Sequence, residues 1–179
     1  MKLKTVMRDE NGEKGLRDLC LTIDEKIGGK ITIVEIGSYA GESSVIFAEE
    51  FPNAKIYCID PWIGGFDSND SCSFANYTEV EKEFDFRTKD YPNIFKIKDF
   101  STNIDIKCDV VYIDGRHFYE GVKEDILHWL PKTKKVICGH DFLKVPYPTS
   151  HINGVQKAVR ETLGEPNHIF TDTSWLIWK

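Results

Sequence analysis

Five short runs in this chain end on or beside an acid: Glu35 with Gly37, Asp60, Asp99-Phe100-Ser101, Asp114, and His140-Asp141. If these runs are neighbouring parallel strands, the acids gather at one edge of a sheet, where ligands of such sheets bind. Gathered carboxylates repel one another, so a cationic sulfonium, a metal ion or a hydroxyl-rich substrate is expected among them. The first run also supplies a loop. Gly37-Ser38-Tyr39-Ala40-Gly41 follows the apolar, β-branched stretch 31–36. Glycine lets a backbone turn sharply and lets a ligand approach closely, and the helix that follows offers free N–H groups to a carboxylate or phosphate. Asp60 lies about 20 residues past the loop, the spacing at which an acid takes two ribose hydroxyls. The pattern is that of a nucleotide-cofactor half-site. It lacks the second glycine of G-x-G-x-x-G, which disfavours an NAD-dependent oxidoreductase.

These residues meet only if strands alternate with helices. Leu16, Leu19, Cys20, Ile23 and Ile27 fall at helical spacing, and Gly28-Gly29 stops the helix. Strands are expected at 31–36, 55–59, 94–98, 110–113 and 135–139, with helices at 42–51, from Tyr77 through Phe84, from Tyr119 to Trp129, and from Val155 to Leu163. The segments 168–170 and 175–178 bracket Thr171-Asp172-Thr173-Ser174 and read as a closing hairpin. Such alternation implies a parallel sheet covered on both faces, with an antiparallel strand near the C-terminus. Two loops stand out: 60–76, rich in Gly and Ser around Trp62, Phe66 and Phe74, and 142–153, with Pro146, Pro148 and His151. Loops this long are often functional lids.

Composition narrows the function class. The chain of 179 residues is read as one domain, 1–179, with 1–29 an N-terminal helical segment. A net charge of −6 argues against a grip on nucleic-acid phosphates, and the basic run 132–135 is read as a solvated loop. Five cysteines without C-x-x-C spacing read as reduced thiols, Cys58 and Cys138 as core residues. The charged first ten residues are no signal peptide, and no apolar stretch approaches a membrane span. The expectation is a soluble, cytoplasmic protein that takes a small molecule, not nucleic acid or membrane.

The loop 35–41 with Asp60 resembles motif I and the ribose acid of the class I S-adenosylmethionine (SAM) methyltransferases. Further stretches are similar to a small branch of that class, related to the macrocin-type sugar O-methyltransferases and the cephalosporin-biosynthesis methyltransferase-like proteins. They are Asp60-Pro61-Trp62, 111–122 around Ile113-Asp114-Gly115-Arg116-His117, Trp129-Leu130-Pro131-Lys132, Gly139-His140-Asp141-Phe142 and the terminal Trp175-Leu176-Ile177-Trp178-Lys179. The resemblance covers roughly residues 30–179 and implies a Rossmann-like, doubly wound fold. It implies a SAM site from Glu35, Gly37, Ser38, Tyr39, Gly41, Asp60, Trp62, Asp99, Phe100 and Ser101. Asp114 and Asp141 would hold magnesium or another divalent metal, and His117 would be the base that takes the acceptor's proton. The sequence departs at His140, where those relatives have a carboxylate. Magnesium prefers oxygen ligands and imidazole suits softer metals, so His140 is either a ligand of such a metal or an orienting neighbour.

The implied activity is methyl transfer from SAM to a hydroxyl of a small molecule, such as a sugar or glycoside, with divalent-metal assistance. The alternatives are methyl transfer to nitrogen or transfer without a metal, a SAM- or nucleotide-binding protein without transfer activity, and the NAD-dependent oxidoreductase that the missing second glycine disfavours. Asp114-Gly115 is also an ordinary turn pair, His128 beside Trp129 reads as structural, and Tyr39 and Trp62 either meet the sulfonium or adenine or bury as apolar groups.

Overall fold

The computed structural model describes residues 7–66, 68, 70–143 and 153–179. Pro146, Pro148 and His151 of the second loop lie outside them. Five helices and seven strands alternate in chain order: α1 (Glu10–Ile27), β1 (Thr32–Ile36), α2 (Glu42–Glu50), β2 (Lys55–Ile59), α3 (Tyr77–Thr88), β3 (Ile94–Ile97), β4 (Cys108–Ile113), α4 (Tyr119–Trp129), β5 (Thr133–Gly139), α5 (Asn153–Leu163), β6 (His168–Ile169) and β7 (Trp175–Trp178). Short 3₁₀ turns occupy Ser71–Phe74 and Ser101–Asn103.

The sheet runs β3-β2-β1-β4-β5-β7-β6. Its first five strands are parallel, and β7 pairs antiparallel with both β5 and β6. Strand order reverses between β1 and β4, so the crevice for a ligand opens at their carboxyl ends. This is the Rossmann-like, doubly wound architecture. Strands β4 and β5 each begin two residues earlier than their apolar runs, and β5 takes in Lys134 and Lys135, which stay exposed near its start.

Alternation of side chains along each strand builds a core on each face. Ile33, Ile56, Cys58, Val110, Tyr112 and Leu176 meet Leu16, Leu19 and Ile23 of α1 and Phe47 of α2. On the opposite face Val34, Val111, Ile113, Ile137 and Trp175 meet Ile126 and Trp129 of α4 and Ala158 and Val159 of α5. All five cysteines are free, and only Cys72 is not buried. Asp9 caps α1 by accepting from the Gly12 N–H at 2.8 Å, which fixes where the preceding residues leave the helix. Among the described residues no helix is long and apolar enough to cross a membrane.

Close approach of β1 and β4 at the crevice depends on one residue. Gly37 has φ +85°, and a Cβ there would lie 2.1 Å from the Asp114 carbonyl oxygen. Gly37→Ala should therefore cost about 3 kcal/mol or more, or abolish folding, in urea denaturation. Gly164→Ala is the control: its φ is +89° but nothing lies within 4 Å, so only the left-handed strain of about 1–2 kcal/mol is expected. Equal losses at the two positions would mean that the β1–β4 approach is not the constraint.

Candidate active site

The carboxyl ends of β1, β2 and β4 and the turn after β3 wall a single cavity, closed on one side by the loop after β2 and by residues before α1. Gly37, Ser38, Tyr39, Asp60, Phe100, Ser101, Asp114 and His117 of the expected set lie in that wall. His140, Asp141, Glu35, Gly41, Trp62 and Asp99 do not. Each of the last four instead shapes the loop next to it. Glu35 is fully buried beneath the glycine loop and accepts from the Ser38 hydroxyl at 2.8 Å and from the Ser44 hydroxyl, tying β1 to α2. Gly41 adopts φ +81° as the N-cap of α2. Asp99 accepts from the Phe100 N–H and the Asn103 amide, both at 2.7 Å, and so fixes the turn that carries Ser101. Trp62 turns inward: its ring sits edge-on to Phe84 with centroids 5.0 Å apart, and its indole N–H donates to the Tyr39 carbonyl at 2.9 Å.

Asp60 is held by two backbone donors, the Tyr39 N–H at 2.9 Å and the Trp62 N–H at 2.6 Å. Burial outweighs those bonds and pushes its carboxyl up to about 6. A pair of ligand hydroxyls would relieve that cost, which is what a ribose offers. Both donors belong to residues with positive φ, Tyr39 at 45° and Trp62 at 47°. Such non-glycine strain persists only where surroundings enforce it and clusters at functional sites. On the far wall the Ser101 hydroxyl donates to Asp125, a buried carboxylate of α4 that also pairs with Arg116 at 3.3 Å.

The acids at the ends of β4 and β5 are knotted together with nitrogen. Asp114 Oδ2 meets the Arg8 guanidinium at 3.2 Å, and its Oδ1 lies 3.7 Å from His117 Nε2 and 3.9 Å from His140 Nδ1. Asp141, with φ +62°, meets His140 Nδ1 at 3.0 Å and His117 Nε2 at 3.3 Å, one on each oxygen. His117 Nδ1 lies 3.1 Å from Asp70, which comes from the loop after β2 and also caps the Ser71–Phe74 turn by accepting from the Cys72 N–H. Burial alone would lower the His117 pKa, but Asp114, Asp70 and Asp141 push it up to about 10. An imidazole titrating near its ordinary value, which would suit a general base at neutral pH, is therefore not what this cluster gives. His140 is likewise raised, with burial opposing and Asp114 and Asp141 prevailing, while the two histidines and Arg8 hold the Asp141 carboxyl below its usual range against burial. His128 is structural, its Nε2 lying 2.9 Å from the Ile104 carbonyl oxygen.

The metal expectation can be tested on this donor set. One ligand atom each from Asp114, His140 and Asp141 lies within 4.8 Å of the others, a spacing that could collect an ion. Two carboxylates and an imidazole are not a magnesium set. A softer ion held by these three would have to displace the Arg8 guanidinium from Asp114 and the His117 imidazole from Asp141. The residues do not fit a divalent metal as they stand.

Arg8, Asp70, Asp125 and Asp172 are site residues that no motif in the sequence marks. Arg8 and Asp172 carry no signal at all. Asp70 lies inside a loop that stands out by its length, and Asp125 sits at helical spacing after Val122, where only its place among apolar neighbours hints at burial.

A family model described as "Methyltransferase domain" matches residues 34–142. An uncharacterized protein, y4gI, of Sinorhizobium fredii (strain NBRC 101917 / NGR234) is 26% identical over 121 residues, which is 61% of this chain but 13% of that protein. Among solved structures, one assigned as a caffeoyl-CoA O-methyltransferase from Staphylococcus aureus aligns with TM-score 0.63 and 15% identity over 97% of this chain and 84% of that one. A SAM-dependent O-methyltransferase from Thermotoga maritima gives 0.59 and 13% over 88% and 52%. The N-methyltransferase NodS from Bradyrhizobium japonicum gives 0.56 and 13% over 95% and 96%. At such identities these likenesses are likenesses of fold.

The link between loop and cluster is testable without a ligand. Asp70→Ala removes the acceptor of the Cys72 N–H and the partner of His117. Losing a bond to a charged acceptor should speed hydrogen exchange at Ser73 and Ala75 by roughly 10–100-fold, with His117→Ala giving part of that effect. Unchanged exchange in both variants would detach the loop from His117.

Proposed function

The chain belongs to the methyltransferase-domain family, and from that premise we propose that it transfers the methyl group of SAM to a hydroxyl of a small molecule. One observation carries the reading: Gly37, Asp60, Ser101, Asp114 and His117 wall one cavity at the reversal of strand order. SAM supplies a methyl group made electrophilic by its sulfonium. The protein's part is to bind, orient and take a proton. Asp60 receives the ribose hydroxyls while the glycine loop and the start of α2 face the methionine end. Ser101, set by Asp125, flanks the adenine beside Phe100. The acceptor then enters on the side of Arg8, Phe66, Cys72 and His117.

A neutral hydroxyl is a poor nucleophile, and the reaction must shed a proton. His117 is the group for that step. In the ligand-free site the ring carries a proton on each nitrogen, Nδ1 facing Asp70 and Nε2 facing Asp114 and Asp141. An acceptor hydroxyl entering between Nε2 and those two carboxylates weakens their hold, the Nε2 proton leaves to solvent, and the neutral ring then takes the acceptor's proton. Asp70 keeps the ring in place from the opposite nitrogen. No divalent metal enters this reading, because the carboxylates expected to hold one already face nitrogens. The sugar-like acceptor suggested by the resemblance remains the first class to screen, and transfer to nitrogen is its competitor. A reduced intracellular setting fits the five free thiols.

Calorimetry with SAM, its demethylated product and NAD tests the cofactor. SAM and its product should bind and NAD should not. Asp60 must be ionised to accept the ribose hydroxyls, so SAM affinity should fall as pH drops through about 6, by up to about tenfold per pH unit. Asp60→Ala should weaken binding at neutral pH and flatten that dependence. Wild-type affinity in the variant removes the ribose assignment. Once an acceptor is found by product mass, His117→Ala should lower turnover by roughly 10²–10⁴-fold with SAM affinity near wild type. A folded variant with normal turnover would sink the base assignment.

A further inference from the structure

The acid cluster at the ends of β4 and β5 carries its own cation, delivered from outside the matched family region. Arg8 immediately precedes the N-cap of α1, and its chain is pinned over α2: the Met7 and Arg8 N–H groups donate to Glu42 Oε2 at 2.9 and 3.0 Å. Glu42 is held in turn by Arg87 at 3.0 Å. From there the Arg8 side chain runs into the site, where only 11% of it stays exposed. One terminal nitrogen meets Asp172 at 3.4 Å; the other reaches Asp114 and the Tyr112 hydroxyl, both at 3.2 Å. Asp172 is itself fixed from two sides. It accepts from the Ser174 N–H and hydroxyl, and Gly15 of α1 packs so close that a Cβ there would lie 2.4 Å from its Oδ1.

We infer that Arg8 is the resident cation of this active site, holding at Asp114 the place that a divalent metal takes in the branch resembled, so that the cluster is built to work without one. A buried carboxylate needs a partner, and removing the partner leaves an uncompensated charge. A second cation beside an existing one is repelled, strongly where water is scarce. Arg8 is anchored at its backbone, at Asp172 and at Tyr112, so a metal approaching Asp114 could not simply push it aside. The guanidinium also lines the cavity, which makes it a positioning residue for whatever acceptor enters beside His117.

The test reads metal affinity, not turnover, so its outcome is separable from that of the methyl-transfer reading. The full chain is titrated with manganese and with magnesium chloride in a calorimeter, as wild type, Arg8→Lys and Arg8→Gln, with SAM binding as a parallel measurement. Wild type and Arg8→Lys should show no saturable heat. Arg8→Gln should gain one manganese site, tighter than any wild-type binding by roughly tenfold or more, and lose it again with Asp141→Asn. Saturable wild-type binding that disappears in Asp141→Asn overturns the inference, as does a folded Arg8→Gln that gains no site. Should Arg8→Gln fail to fold, recovery with manganese or with added Asp114→Asn supports compensation of charge, and recovery by neither overturns it.

Discussion

Carboxylates at the ends of adjacent parallel strands can share a few ångströms only if positive charge is brought among them, and much of this molecule is arranged to bring it. Asp114 and Asp141 are placed by β4 and β5, Asp172 by the turn before β7, and Asp70 by the loop after β2. Two of the compensating groups come from the same strand ends, His117 from the turn after β4 and His140 from the end of β5, and Arg8 comes from ahead of α1. Five stretches distant in sequence are thereby fixed to one point. Such a buried network adds little net stability, since desolvation consumes most of the attraction, but breaking one partner is costly. Its value is positional.

The β1–β2 side of the crevice is set by backbone instead of charge. Gly37 admits the Asp114 carbonyl, and left-handed Tyr39 and Trp62 turn their N–H groups onto Asp60. Strain at these residues is balanced by what lies beneath them: Glu35 gripping Ser38 and Ser44, and the Trp62 indole bonded to Tyr39 and packed on Phe84. Asp60 therefore sits preset but under-satisfied, buried with its charge opposed by desolvation. A site in that condition gains most from a ligand that donates to it.

Much of this arrangement is legible in the amino-acid sequence. Strand identity, the parallel order and the acids at strand ends follow from local apolar runs and from turn residues beside them, because those are near-neighbour properties. The starts of β4 and β5 are not legible, since Cys108 and Thr133 join the sheet through pairing with each other and not through apolar character of their own. Trp62 reads as a cofactor contact because aromatic faces attract cations; its direction depends on Phe84, 22 residues away, which no local pattern encodes. Arg8 is invisible for the same reason. One arginine in a charged N-terminal stretch has no signature until α1 is docked and its cap residue fixed.

The position of Asp70 ties the two halves of the site together. Its side chain stabilises the Ser71–Phe74 turn and at the same time touches the ring of His117. The loop that carries it also contributes Ile63, Phe66 and Cys72 to the cavity wall. Movement of that loop away from the cavity would thus do two things at once. It would open the wall, and it would take one of three carboxylates away from His117. The ring would then face only Asp114 and Asp141. The Asp70 turn thus joins the cavity wall and the charge around His117 in one contact.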